Sequence, residues 1–174
     1  MSAFIRFTDG LSRLLGMVAA ILLVIAVVVV CQMVFMRYGL GQSTHWQTEF
    51  VTYTLIASTF LGAPYVLLTR GHVNVELVPM AVGGRKRFLL ALIAYSCSAI
   101  LCLLLAYYSF LFWHEAWEAG WRSESIWAPK LWKVYLSMPL GFIAISLQYL
   151  TDLICLITGR APPFDIVDVN VEAS

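Results

Sequence analysis

The sequence predicts an all-α membrane protein with four transmembrane helices, both termini in the cytoplasm, and a short interfacial helix after the second span. Hydrophobic residues make up 61% of the 174 residues and charged residues only 12%. The mean hydropathy is +0.83, whereas an ordinary soluble domain carries about 25% charged residues. Four long apolar runs take up most of the chain, so we expect residues 1–174 to form a single membrane domain.

Each predicted span is an apolar run bounded by polar or charged residues. The spans cover residues 14–36, 50–68, 88–113 and 134–157, and residues 158–174 follow as a cytoplasmic tail. The first run is uncharged over about 23 residues, longer than the apolar region of a signal peptide, so we expect it to be retained. We expect the protein to lie in the lipid bilayer. The sequence has no basic run suited to nucleic acid, so we expect no nucleic-acid partner.

The second span and the residues that follow it carry the densest set of polar signals. Its apolar run of about 19 residues forms a helix of roughly 28 Å, just enough to cross the hydrocarbon core. Glu49 precedes the run, and Arg70, His72 and Glu76 follow it. We expect these side chains to fix the loop by mutual polar contacts or to bind a partner. The alternative is a solvated turn that only ends the helix. The interfacial helix is predicted from the apolar residues Val75, Leu77, Val78 and Met80.

Small residues recur at helical spacing in the second and third spans. They are Ser58 and Gly62 in the second span, and Ala94, Ser98, Cys102 and Ala106 in the third. Lipid gives no hydrophobic drive for helix association, and small side chains let two helices approach closely. We therefore predict helix contacts at these positions, within the chain or against a partner. The alternative is chance in a helix rich in Ala and Ser.

Tryptophan is concentrated around the end of the third span. Trp113, Trp117 and Trp121 follow one another at four-residue spacing, and Trp127 and Trp132 come after them. Indole rings favour the headgroup level, so this pattern predicts an interfacial belt on a helix that runs past the hydrocarbon. A ligand-stacking cluster is the less common alternative.

The distribution of basic residues predicts the orientation. Seven of the 11 Lys and Arg residues lie on the side of the termini and the second loop, against four on the other side. By the positive-inside rule both termini face the cytoplasm, and the loop of residues 114–133 faces outward.

The predicted spans contain few polar or charged side chains that could do chemistry or bind an ion. No carboxylate or basic residue lies at the centre of a span, and the larger polar side chains there are Gln32 and Gln148. Since intramembrane charges usually mark ion paths and substrate sites, we expect neither an enzyme nor a self-contained carrier, and no catalytic residue, cofactor or metal. The alternative function is a membrane anchor of a redox enzyme binding haem or quinone. It would bind that group near His72 or His114, and these two histidines, like His45, fall at span ends.

Several short motifs accompany the four-span layout. They are residues 46–49 before the second span, Gly62 and Ala63 within it, residues 70–76 after it, and Pro129, Trp132, Tyr135 and residues 139–142 at the start of the fourth. Together they resemble the small membrane subunit (DctQ-like) of tripartite ATP-independent periplasmic (TRAP) transporters. The tryptophan-rich residues 113–127 depart from that family pattern.

The resemblance implies a partner role in the bacterial inner membrane. A large membrane subunit would carry substrate and sodium, a periplasmic binding protein would deliver an organic acid, and this chain would act as a membrane scaffold. Candidate partner-binding or loop-fixing residues are Glu49, Arg70, His72, Glu76, Trp132, Pro139 and Gly141. The sequence offers nothing that selects among organic acids such as dicarboxylates and sialic acid.

Overall fold

The computed structural model describes residues 2–69 and 84–158, which are almost entirely helical. The helices are α1 (Ser2–Gly39), α2 (Trp46–Leu68), α3 (Gly84–Glu118), α4 (Leu131–Tyr135) and α5 (Ser137–Ile157). In the described residues, four helical segments are long and apolar enough to cross a membrane, with α4 and α5 together forming the fourth. The predicted all-α fold with four spans is confirmed.

The helices extend beyond the predicted apolar runs. Helix α1 begins at Ser2 and α3 continues to Glu118, because polar residues outside the hydrocarbon can continue a helix whose apolar part is already formed. A turn at Leu136 separates α4 from α5. Pro139 lies in the first turn of α5, where its missing N–H has no helical partner to lose. The predicted interfacial helix, with Arg70, His72 and Glu76, falls outside the described residues.

Helix α5 is at the centre of the arrangement. It packs against α2 and α3 and also touches α1, while α1 packs mainly against α2. Helix α3 contacts α5 and the short α4. Helices α1, α2 and α5 therefore form one group, and α3 joins that group on the other side of α5.

The interior consists of small and polar side chains. The largest fully buried side chains in the described residues are Gln148, Thr8, Thr151, Pro64 and Ser12. Most buried hydrophobic residues are alanines, whereas many Leu, Ile, Val and Phe side chains are exposed on the outer surface. This distribution suits a chain surrounded by lipid, where large apolar side chains gain nothing by turning inward.

The two ends of the helix group differ in construction. At one end, which we call the loop end, lie the connections of residues 40–45 and 119–130; the other, terminal end holds the start of α1 and the ends of α2 and α5. The longer connection folds into an antiparallel turn. Its backbone hydrogen bonds run from Ser123 N to Pro129 O at 3.2 Å and from Leu131 N to Trp121 O at 3.0 Å. The loop end therefore has a defined surface.

Candidate functional site

The candidate functional surface is built from contacts between helices, the first of which joins α1 to α2. The Ser58 hydroxyl donates a hydrogen bond to the Ala19 carbonyl oxygen across the contact at 2.8 Å. One turn further along, a Cβ added to Gly62 would lie 3.3 Å from the Ala19 Cβ. A Cβ at Gly16 would lie 2.5 Å from Cγ of Tyr65. The structure thus places both small residues singled out in α2 at its contact with α1.

The contact between α2 and α5 depends on a proline and a glycine. Pro64 lies inside α2 and has no N–H, so the Phe60 carbonyl, four residues earlier, lacks its helical donor. A Cβ added to Gly141 would overlap the Phe60 carbonyl oxygen and lie 2.9 Å from the carbonyl carbon. The Phe60 and Phe142 rings pack beside this contact, 5.4 Å apart between centroids. Gly141 therefore lets the two backbones approach at the point where Pro64 exposes a carbonyl.

A polar cluster joins α1 to α5 towards the terminal end. The Ser12 hydroxyl donates to Oε1 of Gln148 at 3.0 Å. Nε2 of the same side chain donates to Oδ1 of Asp9 at 3.4 Å. Gln148 is only 1% exposed, so its amide is used to connect the two helices. We call Asp9, Ser12 and Gln148 the terminal polar cluster.

The small residues of α3 do not all share one environment. Ala106 is buried, Ser98 and Cys102 are half-buried, and Ala94 is exposed. At about 100° per residue, positions 12 apart in an α-helix differ by roughly 120° around the axis, so a stripe with four-residue spacing winds away from a straight contact. Ala91 and Ala99 are the other buried alanines of this region. A helix contact at Ala94 stays a prediction that would require a partner.

Glu49 connects the start of α2 to the longer loop. Its Oε1 accepts a hydrogen bond from the Ser123 hydroxyl at 3.0 Å, while its Oε2 is buried with no partner in the described residues. The rings of Trp46 and Phe50 lie 6.3 and 6.4 Å from that of Trp127. In the described residues Glu49 forms no ion pair with Arg37 at the end of α1.

The tryptophans of α3 pack mainly within the chain. Nε1 of Trp113 donates to the Trp132 carbonyl oxygen at 3.1 Å. The rings of Trp117 and Trp132 lie 4.4 Å apart, and Phe112 packs against Tyr135 at 5.0 Å. These contacts join α3 to α4. The predicted interfacial belt is compatible with them, since Trp117 also keeps an exposed face.

The described histidines contact side chains of their own segments. Nε2 of His45 lies 2.6 Å from the Ser43 hydroxyl, and Nδ1 of His114 lies 3.6 Å from Oε2 of Glu118. His72 is outside the described residues. In the part of the chain that the structure describes, no group of three His, Cys, Asp or Glu side chains could hold a metal ion. The haem or quinone anchor is not favoured.

Most Ser and Thr hydroxyl groups of the described helices form a hydrogen bond within their own helix. Each of these donates to the carbonyl four residues earlier in its own helix: Thr8, Thr52, Thr54, Thr59, Ser146 and Thr151. Such bonds remove a donor from the membrane interior without creating a binding site. The polar side chains of the described spans therefore bond within or between the helices, and few are left to bind a solute.

Sequence reasoning did not anticipate several residues that make these contacts. Pro64 lies inside an apolar span, and Gly141, which packs against the Phe60 carbonyl that Pro64 leaves without a donor, lies 77 positions later. Asp9 and Ser12 lie in the polar first turns of α1, and nothing in the sequence indicates that they contact α5. Ser123 lies in a loop, where hydroxyl residues are common. Such pairings depend on how the helices pack, which composition and spacing do not determine.

The chain is similar to known transporter components. Residues 26–159 match the family described as tripartite ATP-independent periplasmic transporters, DctQ component. The ectoine TRAP transporter small permease protein TeaB of Halomonas elongata is 25% identical over 71% of this chain. The C4-dicarboxylate TRAP transporter small permease protein DctQ of Vibrio cholerae is 24% identical over 73% of this chain. The chain spans 64% of the length of each relative.

Proposed function

The chain belongs to the DctQ component family of tripartite ATP-independent periplasmic transporters, and on this premise we propose that it is a membrane scaffold for a large transport subunit. The large subunit would carry an organic acid together with sodium, and a periplasmic binding protein would deliver that acid. The relative from Vibrio cholerae is named for C4-dicarboxylates, which supports an organic acid as the transported solute. The proposed location is the bacterial inner membrane.

The observation that carries this proposal is how the polar side chains of the spans are used. Gln148 connects α5 to α1, and Ser58 connects α2 to α1. Most threonine hydroxyls of the described spans, such as those of Thr54 and Thr151, bond to their own helices, and that of Thr48 donates to the Met33 sulfur of α1. Carriers need charged residues or broken helices near the bilayer centre to hold ions and substrates. A chain whose polar groups stabilise helix contacts is better suited to support a carrier than to be one.

The orientation belongs to the same proposal. With both termini cytoplasmic, the terminal polar cluster faces the cytoplasmic side and the loop end, with Glu49 and Ser123, faces the periplasm. The loop end would then be on the side from which a binding protein approaches. A periplasm-dependent reporter enzyme fused after Ser174 should be inactive, and an active fusion would reverse the orientation.

Transport measurements in liposomes test the scaffold role. The chain alone should show no solute flux, and the chain with its large subunit and binding protein should show sodium-dependent uptake of an organic acid. Purified protein should also lack a haem absorption band. Flux through the chain alone, or stoichiometric haem, would contradict the proposal.

The segment after α2 provides a second test at the level of assembly. Charge-assisted contacts are worth about 1.5–3 kcal/mol when shielded from water. We therefore expect Arg70→Ala and Glu76→Ala each to reduce the amount of large subunit that co-purifies with the chain by at least about tenfold. Arg122→Ala, in the loop at the opposite end, is the matched control and should assemble normally. If both variants assemble and transport normally, the segment after α2 serves only as a turn that ends the helix.

A further inference from the structure

A cavity opens at the loop end between α2 and the longer loop. Its volume is about 520 Å³, which falls within the usual range of small-molecule sites, roughly 300–1,000 Å³. One wall is a single face of α2, formed by Phe50, Tyr53, Thr54 and Ala57. These positions recur at the three- and four-residue spacing that places side chains on one side of a helix. The opposite wall comes from residues 127–130.

The rim of this cavity is positively charged. Lys130 and Lys133 both line it and are both exposed. Neither ammonium has a carboxylate within ion-pair distance in the described residues, where the ion pair present is that of His114 with Glu118. Nζ of Lys133 lies 5.8 Å from the centre of the Trp132 ring. The rim therefore offers two cations to an anionic group.

Below the rim the cavity becomes apolar. From Phe50 to Ala57 the α2 wall extends about 10 Å along the helix axis at 1.5 Å per residue. Leu22 of α1 and Val134 of α4 complete the lining. The Thr54 hydroxyl is already used, since it donates to the Phe50 carbonyl oxygen at 2.7 Å. An occupant must therefore combine a negative group at the rim with an apolar body that reaches into the span.

The loop over the cavity is held in a defined conformation. Ala128 lines the cavity with φ of +43°, a left-handed conformation uncommon for any residue except glycine. Its N–H is held by the Ser125 carbonyl oxygen at 3.1 Å. Next to it, Trp127 packs against Trp46 and Phe50. Strained backbone conformations of this kind concentrate at ligand-binding sites, where the surrounding contacts maintain them.

We propose that this cavity binds one anionic phospholipid, with its phosphate at Lys130 and Lys133 and an acyl chain along the Phe50 to Ala57 face of α2. The two charges select an anionic headgroup over a neutral one, since each basic residue near the membrane surface adds to the attraction. The apolar wall selects a lipid over a free phosphate, which would gain nothing from the lower part of the cavity. The site does not depend on the proposed transport function.

Native mass spectrometry of the full chain in detergent tests the proposal with defined lipids. An equimolar mixture of phosphatidylglycerol and phosphatidylcholine is added, and the bound ratio is measured. The unsubstituted chain should retain phosphatidylglycerol in preference, on the order of tenfold. The double variant Lys130→Gln/Lys133→Gln should lose that preference. Arg122→Gln, which removes a cation of the same loop outside the cavity, should keep it.

Ala57→Trp tests the apolar part separately, because it fills the lower cavity and leaves both lysines in place. It should reduce phosphatidylglycerol retention severalfold. Its thermal midpoint in phosphatidylcholine is compared with that of the unsubstituted chain, and if it fails to fold, Ala57→Leu replaces it. Glycerol phosphate at millimolar concentration should not displace the lipid.

Four results would overturn the proposal. The first is an unchanged preference in Lys130→Gln/Lys133→Gln, and the second is equal retention of both lipids by the unsubstituted chain. The third is displacement of the lipid by glycerol phosphate, which would indicate a simple anion site. The fourth is loss of bound phosphatidylglycerol when the large subunit assembles, which would show that a protein segment occupies the cavity.

Discussion

Helices α3 and α5 are both long and apolar, yet they are buried to very different extents. In the most apolar stretch of the fourth span 33% of the residues are buried, against 11% in the third. The buried residues of α5 are mostly small or polar: Ser137, Pro139, Gly141, Ala144, Ser146, Gln148, Thr151 and Leu156. Helix α3 instead exposes Leu, Ile, Tyr and Phe side chains along most of its length.

The comparison shows which property of a membrane helix determines its place. Hydrophobicity does not separate the two helices, because lipid is as apolar as a leucine side chain. Close approach and hydrogen bonding do separate them. Helix α5 has Gly141 against the Phe60 carbonyl and Gln148 between Asp9 and Ser12. The buried residues of α3 are alanines, and its Tyr95 ring packs against that of Tyr149 in α5 at 6.5 Å between centroids.

The largest loss of stability is expected from Gly141→Ala, which adds one methyl group where α5 touches α2. That methyl would overlap the Phe60 carbonyl oxygen. Since a backbone carbonyl cannot turn aside as a side chain can, we expect a loss of about 3 kcal/mol, the upper end of overpacking effects. Denaturant-induced unfolding in mixed micelles measures it.

Gly10→Ala is the matched control for that substitution. A Cβ at Gly10 would meet nothing within 4 Å, so Ala should gain about 0.5–1 kcal/mol by its better helix propensity. Equal effects at the two glycines would remove close approach as the reason for the central position of α5.

The next largest effect is expected at Gln148. Gln148→Leu keeps a similar volume but leaves the Ser12 hydroxyl without its acceptor in a buried position. We expect a loss of about 1–2 kcal/mol in the same unfolding measurement. Ser109→Ala in α3 is the control. Its hydroxyl bonds only to the Ala106 carbonyl oxygen of its own helix, so its effect should stay within about 0.5 kcal/mol.

A double variant separates a hydrogen bond from a packing effect at the same position. Removing both partners with Ser12→Ala and Gln148→Leu leaves no buried hydroxyl without an acceptor, so part of the lost stability should return. If the two losses simply add, Gln148 contributes by shape and not by polar contact.

The number and type of the spans could be predicted from the sequence, but the order in which they pack could not. Apolar runs of sufficient length reveal the crossings, because a bilayer requires them. The pattern does not reveal which face turns inward, since both lipid and helix contacts accept apolar residues. The small residues Ser58 and Gly62, singled out by their spacing, lie against Ala19. In α3 the same reasoning grouped the exposed Ala94 with the buried Ala106.

The smallest effect within the chain is expected from Ala94→Leu, and comparison with Ala106→Leu makes it informative. Ala106 is buried, with 7% of its surface exposed. A leucine there should lower the unfolding free energy by about 1–2 kcal/mol through overpacking. A leucine at the exposed Ala94 should change the unfolding free energy of the isolated chain by less than about 0.5 kcal/mol. The two variants are then compared in the assembled complex. If Ala94 lies against the large subunit, Ala94→Leu should reduce co-purification several-fold while the isolated chain stays stable. If assembly is also unchanged, Ala94 faces lipid, and the contact surface of α3 is limited to the residues that already meet α5.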